Sequence, residues 1–188
     1  MRIIAGTHRG RRFSAPPGMS TRPTTDRVRE ALFAVLGPID GLNVADCYAG
    51  SGALGLEALS RGAAHVIFIE SDRTASNVLR ANITRLGFDE RCVVIAKPVE
   101  RCASALGGLD LVLSDPPWPI AAQAAAVVQR ITDSSLTADG RLVLGHPKRL
   151  TPAPIALPGF ELIQTRAWGD SAFSIFERAR DRTGDRSS

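Results

Sequence analysis

From residue 41 onward the chain alternates short apolar runs with stretches of helical spacing, and this alternation restricts the fold more than any other feature. Leu42–Cys47 reads as a strand, Ala53–Arg61 as a helix closed by Gly62, and His65–Ile69 as a buried strand ending at Glu70. Arg73–Leu86 reads as a helix closed by Gly87, and Cys92–Ala96 and Leu109–Leu113 as the next strands, the latter running into Ser114-Asp115. An Ala-rich helix is expected over about residues 120–132 and a strand at Arg141–Leu144. Strands joined by helices of this length run parallel, with helices covering both faces of the sheet. Phe160–Arg166 and Ser171–Glu177 are separated only by Ala167-Trp168-Gly169-Asp170, so they read as an antiparallel hairpin at one sheet edge.

The segment before this pattern has a different character. Ile3-Ile4-Ala5 and Arg11-Arg12-Phe13-Ser14 flank the Gly-bounded loop 6–10 and read as a β-hairpin, ended by Ala15-Pro16-Pro17-Gly18. Thr24-Thr25-Asp26 signals a helix start; Val28, Leu32, Val35 and Leu36 share one helical face, and Gly37-Pro38 stops it. Residues 1–30 hold seven arginines against Asp26 and Glu30, a net +5 in a chain whose total is +4. Basicity gathered in the first sixth of the chain suggests a polyanionic partner, and arginine forks suit phosphates and stacked bases. The expected division is a basic, RNA-facing hairpin over 1–20, a catalytic domain over 21–178 and a frayed polar tail over 179–188.

The 188 residues suffice for one domain with a real core. No apolar run approaches the ~20 residues of a membrane helix, and residues 1–6 do not open a secretory signal. Three cysteines without a C-x-x-C pair argue against disulfides and a zinc site and fit the cytoplasm. Cys47, Cys92 and Cys102 are expected as small core residues, and no metal is expected at His8, His65 or His146.

The first chemical motif is Asp46-Cys47-Tyr48-Ala49-Gly50-Ser51-Gly52-Ala53-Leu54-Gly55, which leaves the first sheet strand and opens a helix. Open α/β sheets bind ligands at the carboxyl ends of their strands. Glu70, at the end of the next strand, can take both hydroxyls of a ribose. Gly50, Gly52 and Gly55 satisfy G-x-G-x-x-G, which admits a dinucleotide. Yet the dinucleotide fingerprint begins directly at the strand end, whereas here Asp46 precedes the glycines by four residues. An acid is favourable beside a cation and unfavourable beside a pyrophosphate. The arrangement resembles the class I S-adenosylmethionine-dependent methyltransferases, whose loop surrounds a sulfonium amino acid. That likeness assigns cofactor contacts to Asp46, Tyr48, Ala49, Gly50, Ser51, Gly52, Gly55, Glu70, Ser71 and Asp115.

The second motif, Ser114-Asp115-Pro116-Pro117-Trp118, ends the fourth strand. Alone it makes a stiff turn. Near a methyl donor it has a chemical use. An exocyclic base amine is a poor nucleophile because its lone pair is delocalised into the ring. A carboxylate and a backbone carbonyl can accept its two N–H groups, aim the lone pair and stabilise the positive charge that develops. The prolines supply no N–H of their own, and Trp118 offers a face for a splayed-out base. The expected catalytic segment is Asp115, Pro116, Pro117 and Trp118.

These motifs, with Arg2-Ile3-Ile4-Ala5-Gly6, Arg9-Gly10-Arg11 and Arg22-Pro23-Thr24-Thr25-Asp26-Arg27-Val28-Arg29-Glu30-Ala31-Leu32-Phe33, resemble the RsmD family over residues 1–178. The resemblance implies a Rossmann-like, seven-stranded, mostly parallel sheet with an antiparallel edge hairpin and an N-terminal hairpin extension. It implies S-adenosyl-L-methionine as cofactor. It also implies methylation of a guanine N2 amine in 16S ribosomal RNA, within the small ribosomal subunit or its assembly intermediate. Arg2, Arg9, Arg11, Arg12 and Arg22 are the expected RNA contacts, and a monomer is expected. The family usually places tyrosine or phenylalanine where Trp118 stands. Where the family commonly has an acid facing the adenine amine, this chain has Ala96-Lys97-Pro98-Val99-Glu100, so either Glu100 or backbone groups serve. Competing readings are a same-fold enzyme acting on another RNA or on DNA adenine, a nucleotide-binding oxidoreductase and a non-catalytic RNA-binding module. A DNA enzyme usually carries a target-recognition domain, for which this length leaves no room.

Overall fold

The computed structural model describes residues 1–17, 25–102, 106–150 and 157–179. Helix α1 (Asp26–Leu36) starts at Thr25, whose side chain accepts the Val28 N–H, and buries Val28, Leu32 and Leu36. The α/β body follows as β1 (Asn43–Cys47), α2 (Ala53–Ser60), β2 (His65–Ile69), α3 (Arg73–Leu86), β3 (Cys92–Ile95), β4 (Leu109–Ser114), α4 (Ala121–Ser135), β5 (Leu136–Pro147), β6 (Phe160–Trp168) and β7 (Ser171–Arg178). The seven strands form one sheet in the order β3-β2-β1-β4-β5-β7-β6. Pairings among β1 to β5 are parallel, and β7 runs antiparallel to both β5 and β6. This is the class I methyltransferase sheet with an antiparallel edge.

The two faces are buried separately. Val28, Leu32 and Phe33 of α1, Leu56 and Leu59 of α2 and Leu79 and Ile83 of α3 join Val44, Val66, Phe68, Leu113 and Val143 on one face. Val128 and Ile131 of α4 join Cys47, Ile69, Val112, Leu142 and Leu144 on the other. The central strands β1, β2 and β4 are therefore covered on both sides, as their continuous apolar composition requires, whereas the edge strand β3 leaves Val93 exposed.

The N-terminal hairpin is tighter and more deeply embedded than two paired strands. The Arg2–Arg12 antiparallel bridge is flanked by backbone bonds between Ile3 and Arg11, Gly10 and Ile3, and Phe13 and Met1. The N–H groups of Ile4 and Ala5 point away from the hairpin and are accepted by the two carboxylate oxygens of Glu57 at 2.8 and 3.0 Å. Backbone groups used in this way cannot extend a ladder. Glu57 is fully buried and also accepts Arg61 Nε at 2.7 Å, so three donors converge on it. Ile3 and Phe13 are buried in the same core cluster as α1, α2 and α3. Two of the N-terminal arginines share Asp26, Arg29 from the interior and Arg2 from an exposed position. Arg29 is buried and bonds the Arg2 carbonyl and Asp26, and Arg2 itself pairs with Asp26 at 2.7 Å.

β5 also exceeds its expected length, running twelve residues rather than four. Leu136 pairs with Leu109 before a bulge, and residues 141–147 all pair with β7, three of them beyond the expected strand end. Residues 180–188 of the expected tail lie outside the described residues.

Candidate active site

The sheet register decides where the site forms. Cys47 lies level with Ile69 on one side and Ser114 on the other, and Ser114 lies level with Leu144. The next residues, Tyr48, Glu70 and Asp115, therefore leave the sheet side by side at its carboxyl edge, level with Gly145 of β5, which continues to Pro147. β1 has β2 on one side and β4 on the other, so the chain reverses its direction of winding there, where open sheets place ligands.

The loop after β1 is shaped by its backbone. Tyr48 has φ 60°, the single non-glycine residue with positive φ among the described residues. A side chain in the left-handed region costs about 1–2 kcal/mol, which the surrounding packing must offset. Gly52, φ 81°, caps the N-terminus of α2 in the left-handed conformation that a glycine adopts without penalty. Asp46 is buried, and its Oδ2 accepts the Gly55 N–H at 2.9 Å. Burial first, then the Asp115 and Glu70 carboxylates, hold its pKa well above the usual carboxylate range, against the Gly55 bond.

Glu70 is likewise pre-set. Its Oε2 accepts the Gly50 N–H and its Oε1 the Asp72 N–H, each at 2.7 Å. The carboxylate keeps further acceptor capacity on both oxygens. Asn82 of α3 fastens the loop from behind. It is buried, donates to the Ser14 and Ser51 carbonyls and accepts the Ser14 N–H. Its place on the buried face with Leu79, Ile83 and Leu86 was already encoded in the helical period.

A cavity of about 850 Å³ opens at this edge. Asp46, Tyr48, Ala49, Gly50, Ser51, Glu70 and Ser71 line one side, and Asp115, Pro116, Pro117 and Trp118 line another. Gly52 and Gly55 stand behind the wall, as the cap of α2 and the donor to Asp46. Pro98, Val99 and Glu100 also line it, bringing both alternatives for the adenine amine to the cavity. The Tyr48 hydroxyl is buried with no hydrogen-bond partner among the described residues; burial, with Glu100 and Cys47 nearby, raises its pKa to about 12.

Trp118 begins a short 3-10 turn, Trp118–Ile120, closed by Ile120 N–H to the Pro117 carbonyl at 3.0 Å. Motif reading alone did not place Ala15, Pro16, His146, Asp170 and Phe173 on the wall. They come from the hairpin exit, β5 and the β6–β7 edge, and only the tertiary fold unites them. His146 is held by Ser174 Oγ and the Pro147 carbonyl at 2.8 and 3.0 Å.

The arginines are spread along the hairpin. Arg9 and Arg12 are exposed, and Arg11 reaches the Leu86 carbonyl at the end of α3 at 3.4 Å. The hairpin tip sits against the C-terminal end of α2, with Thr7 N–H bonded to the Ser60 carbonyl at 2.8 Å and the His8 ring tilted against that of Phe88. The hairpin exit meets the cavity. Arg22 lies outside the described residues.

The family model described as "Conserved hypothetical protein 95" matches residues 1–177. Ribosomal RNA small subunit methyltransferase D of Escherichia coli K12 is 34% identical over 186 residues, covering 98% of this chain and 93% of its own. The chain belongs to the RsmD family. The Bacillus subtilis protein YlbH is 32% identical over 183 residues, covering 95% of this chain and 99% of its own. The solved structure of Escherichia coli YhhF superposes with a TM-score of 0.81 at 31% identity, covering 95% of this chain and 97% of that one. The RsmD match spans the hairpin as well as the methyltransferase sheet.

Proposed function

We propose that this RsmD-family chain uses S-adenosyl-L-methionine to methylate the exocyclic N2 amine of a guanine in 16S ribosomal RNA. We take the substrate to be the small ribosomal subunit or its assembly intermediate, and the enzyme to act as a cytoplasmic monomer. The observation that carries the reading is that the cofactor-type carboxylates, Asp46 and Glu70, share one cavity with Asp115-Pro116-Pro117-Trp118. About 850 Å³ lies toward the upper end of the ~300–1,000 Å³ of small-ligand pockets, room for a nucleoside cofactor beside a base. The relative's name, a small-subunit ribosomal RNA methyltransferase, supports the substrate class.

The residues present fit the cofactor. Glu70, fixed by two backbone amides, would hold the ribose hydroxyls. Asp46 and the glycine loop would face the cationic amino-acid end, and Ser71 and Val99–Glu100 the adenine. When bound, S-adenosyl-L-methionine supplies a methyl group on a sulfonium sulfur. Asp115 accepts one N–H of the target amine and the Pro116 carbonyl the other. This directs the nitrogen lone pair and stabilises the charge that develops on it. Trp118 supplies a stacking face for the base. No strong base is needed beforehand, because the nitrogen becomes acidic only as it gains positive charge. Arg9, Arg11 and Arg12, with Arg2 and Arg22, would meet RNA phosphates.

The test is direct. Protein and tritiated cofactor are incubated separately with small subunits, large subunits, free ribosomal RNA and DNA, and the labelled nucleotide is mapped. Label in small-subunit RNA as N2-methylguanine is expected. Label in DNA adenine or no transfer at all overturns the proposal.

A further inference from the structure

Gly145 stands in the interior of β5, between Leu144 and His146, with a φ outside the region that demands glycine. A glycine weakens a strand and often marks a place where another group approaches closely. Here the approaching group is identifiable. A Cβ built on Gly145 would lie in contact with Asp115 Oδ1, 3.0 Å from Asp115 Cγ and 2.9 Å from Phe173 Cε1. Gly145 pairs with Phe173 across the β5–β7 ladder, and its neighbour Leu144 pairs with Ser114. The space left by the missing side chain is thus where the Asp115 carboxylate rests, against the edge of the Phe173 ring.

We propose that Gly145 is a positioning residue for methyl transfer: its lack of a side chain seats the Asp115 carboxylate and fixes its reach into the cavity. This rests on the reading of Asp115 as the acceptor of the amine N–H. The two neighbours respond differently to an added methyl group. Both contacts are too close for an added methyl group; the carboxylate ends a short side chain at the cavity wall and can turn, whereas the Phe173 ring is buried in the core cluster. An alanine at 145 therefore moves the reacting group more than it disturbs the fold. Displacement of a reacting group by about 1 Å commonly costs on the order of 10²-fold in rate.

The experiment compares Gly145→Ala with the unaltered full chain in single-turnover methyl transfer at saturating cofactor and small-subunit substrate. Cofactor affinity by calorimetry and thermal unfolding are measured alongside. The expected result is a rate loss on the order of 10²-fold with unchanged cofactor affinity and substrate KM. In an Asp115→Ala background, Gly145→Ala should cause no further loss, because there is no carboxylate left to displace. A wild-type rate in Gly145→Ala, or an undiminished further loss in the Asp115→Ala background, overturns the proposal. If Gly145→Ala does not fold, the same step is read in a Phe173→Leu background against Phe173→Leu alone, where the ring no longer crowds the added methyl group. A rate loss there supports the positioning role and equal rates overturn it. Wild-type turnover of Asp115→Ala would instead sink the site reading on which the inference stands. An inactive Asp115→Ala beside a fully active Gly145→Ala removes only the role given to Gly145.

Discussion

Gly50 donates its backbone N–H to Glu70 Oε2 at 2.7 Å, so the glycine loop after β1 and the acid that ends β2 are set by one bond. Glu70→Ala removes the proposed ribose acceptor and leaves the Gly50 and Asp72 amides without their carboxylate. Cofactor binding should weaken by about 1.5–3 kcal/mol, the range for hydrogen bonds to a charged group. Isothermal calorimetry checks it, and unchanged affinity would put the ribose elsewhere.

Asp115 and Trp118 share the opposite wall of the cavity. Asp115→Ala should lower single-turnover methyl transfer by ~10²–10³-fold while cofactor affinity holds. Asp115→Asn, which keeps an acceptor oxygen and loses the charge, should retain more activity than alanine. Trp118→Phe should recover much of what Trp118→Ala loses, because stacking needs a π-face rather than the indole N–H. Full rates in both alanine variants would reduce the segment to a structural turn.

The raised pKa of Asp46 has a definite sign for stability. Folding favours its protonated form, so Asp46 contributes stability below the unfolded carboxylate pKa of about 3.9, and that contribution is lost as pH rises through the raised value. Asp46→Asn, which stays neutral, should therefore melt higher than the unaltered protein at neutral pH, with a gap that shrinks toward acid. The same variant should bind the cationic cofactor more weakly. A melting gap that is constant with pH would contradict the assignment.

Deleting the hairpin is a poor probe of RNA binding, because Ile3 and Phe13 belong to the core. Arg9→Glu and Arg12→Glu act on exposed side chains instead. They should weaken substrate binding and flatten its salt dependence, with the log-log slope falling by about 0.7–0.9 for each phosphate that is no longer neutralised. Filter binding across a salt series measures this, and an unchanged slope would make these arginines plain surface.

Glu57→Ala leaves the Ile4 and Ala5 amides and Arg61 Nε without their shared acceptor in the interior. Removing one partner of a buried ion pair costs about 3–5 kcal/mol. Denaturant unfolding should show a loss of that size.

The parallel core was legible because apolar strands and helical stretches alternate cleanly from Leu42 to Leu113. The start of β5 was not, because Thr137-Ala138-Asp139-Gly140 carries no strand pattern and lies in the bulge between the Leu136–Leu109 and Arg141–Leu111 pairs. The placement of Asp115 and Glu70 at strand ends was legible from the strand pattern. The role of Glu57 was not: a buried carboxylate in α2 reads from sequence as an ordinary helical acid until Ile4 and Ala5 are brought beside it. Nor could Gly145 be told from any other strand glycine before the register placed Asp115 and Phe173 against it.

The hydrogen bonds from Ile4 and Ala5 to Glu57 also bear on the order in which the molecule can be assembled. The hairpin precedes its acceptor by 53 and 52 residues, so during synthesis it must wait, unpaired, until α2 has left the ribosome. Such distant partners close slowly. The arginines of this segment are therefore presented to solvent before the core that will fix them exists, and the hairpin locks only once the sheet has begun to form behind it.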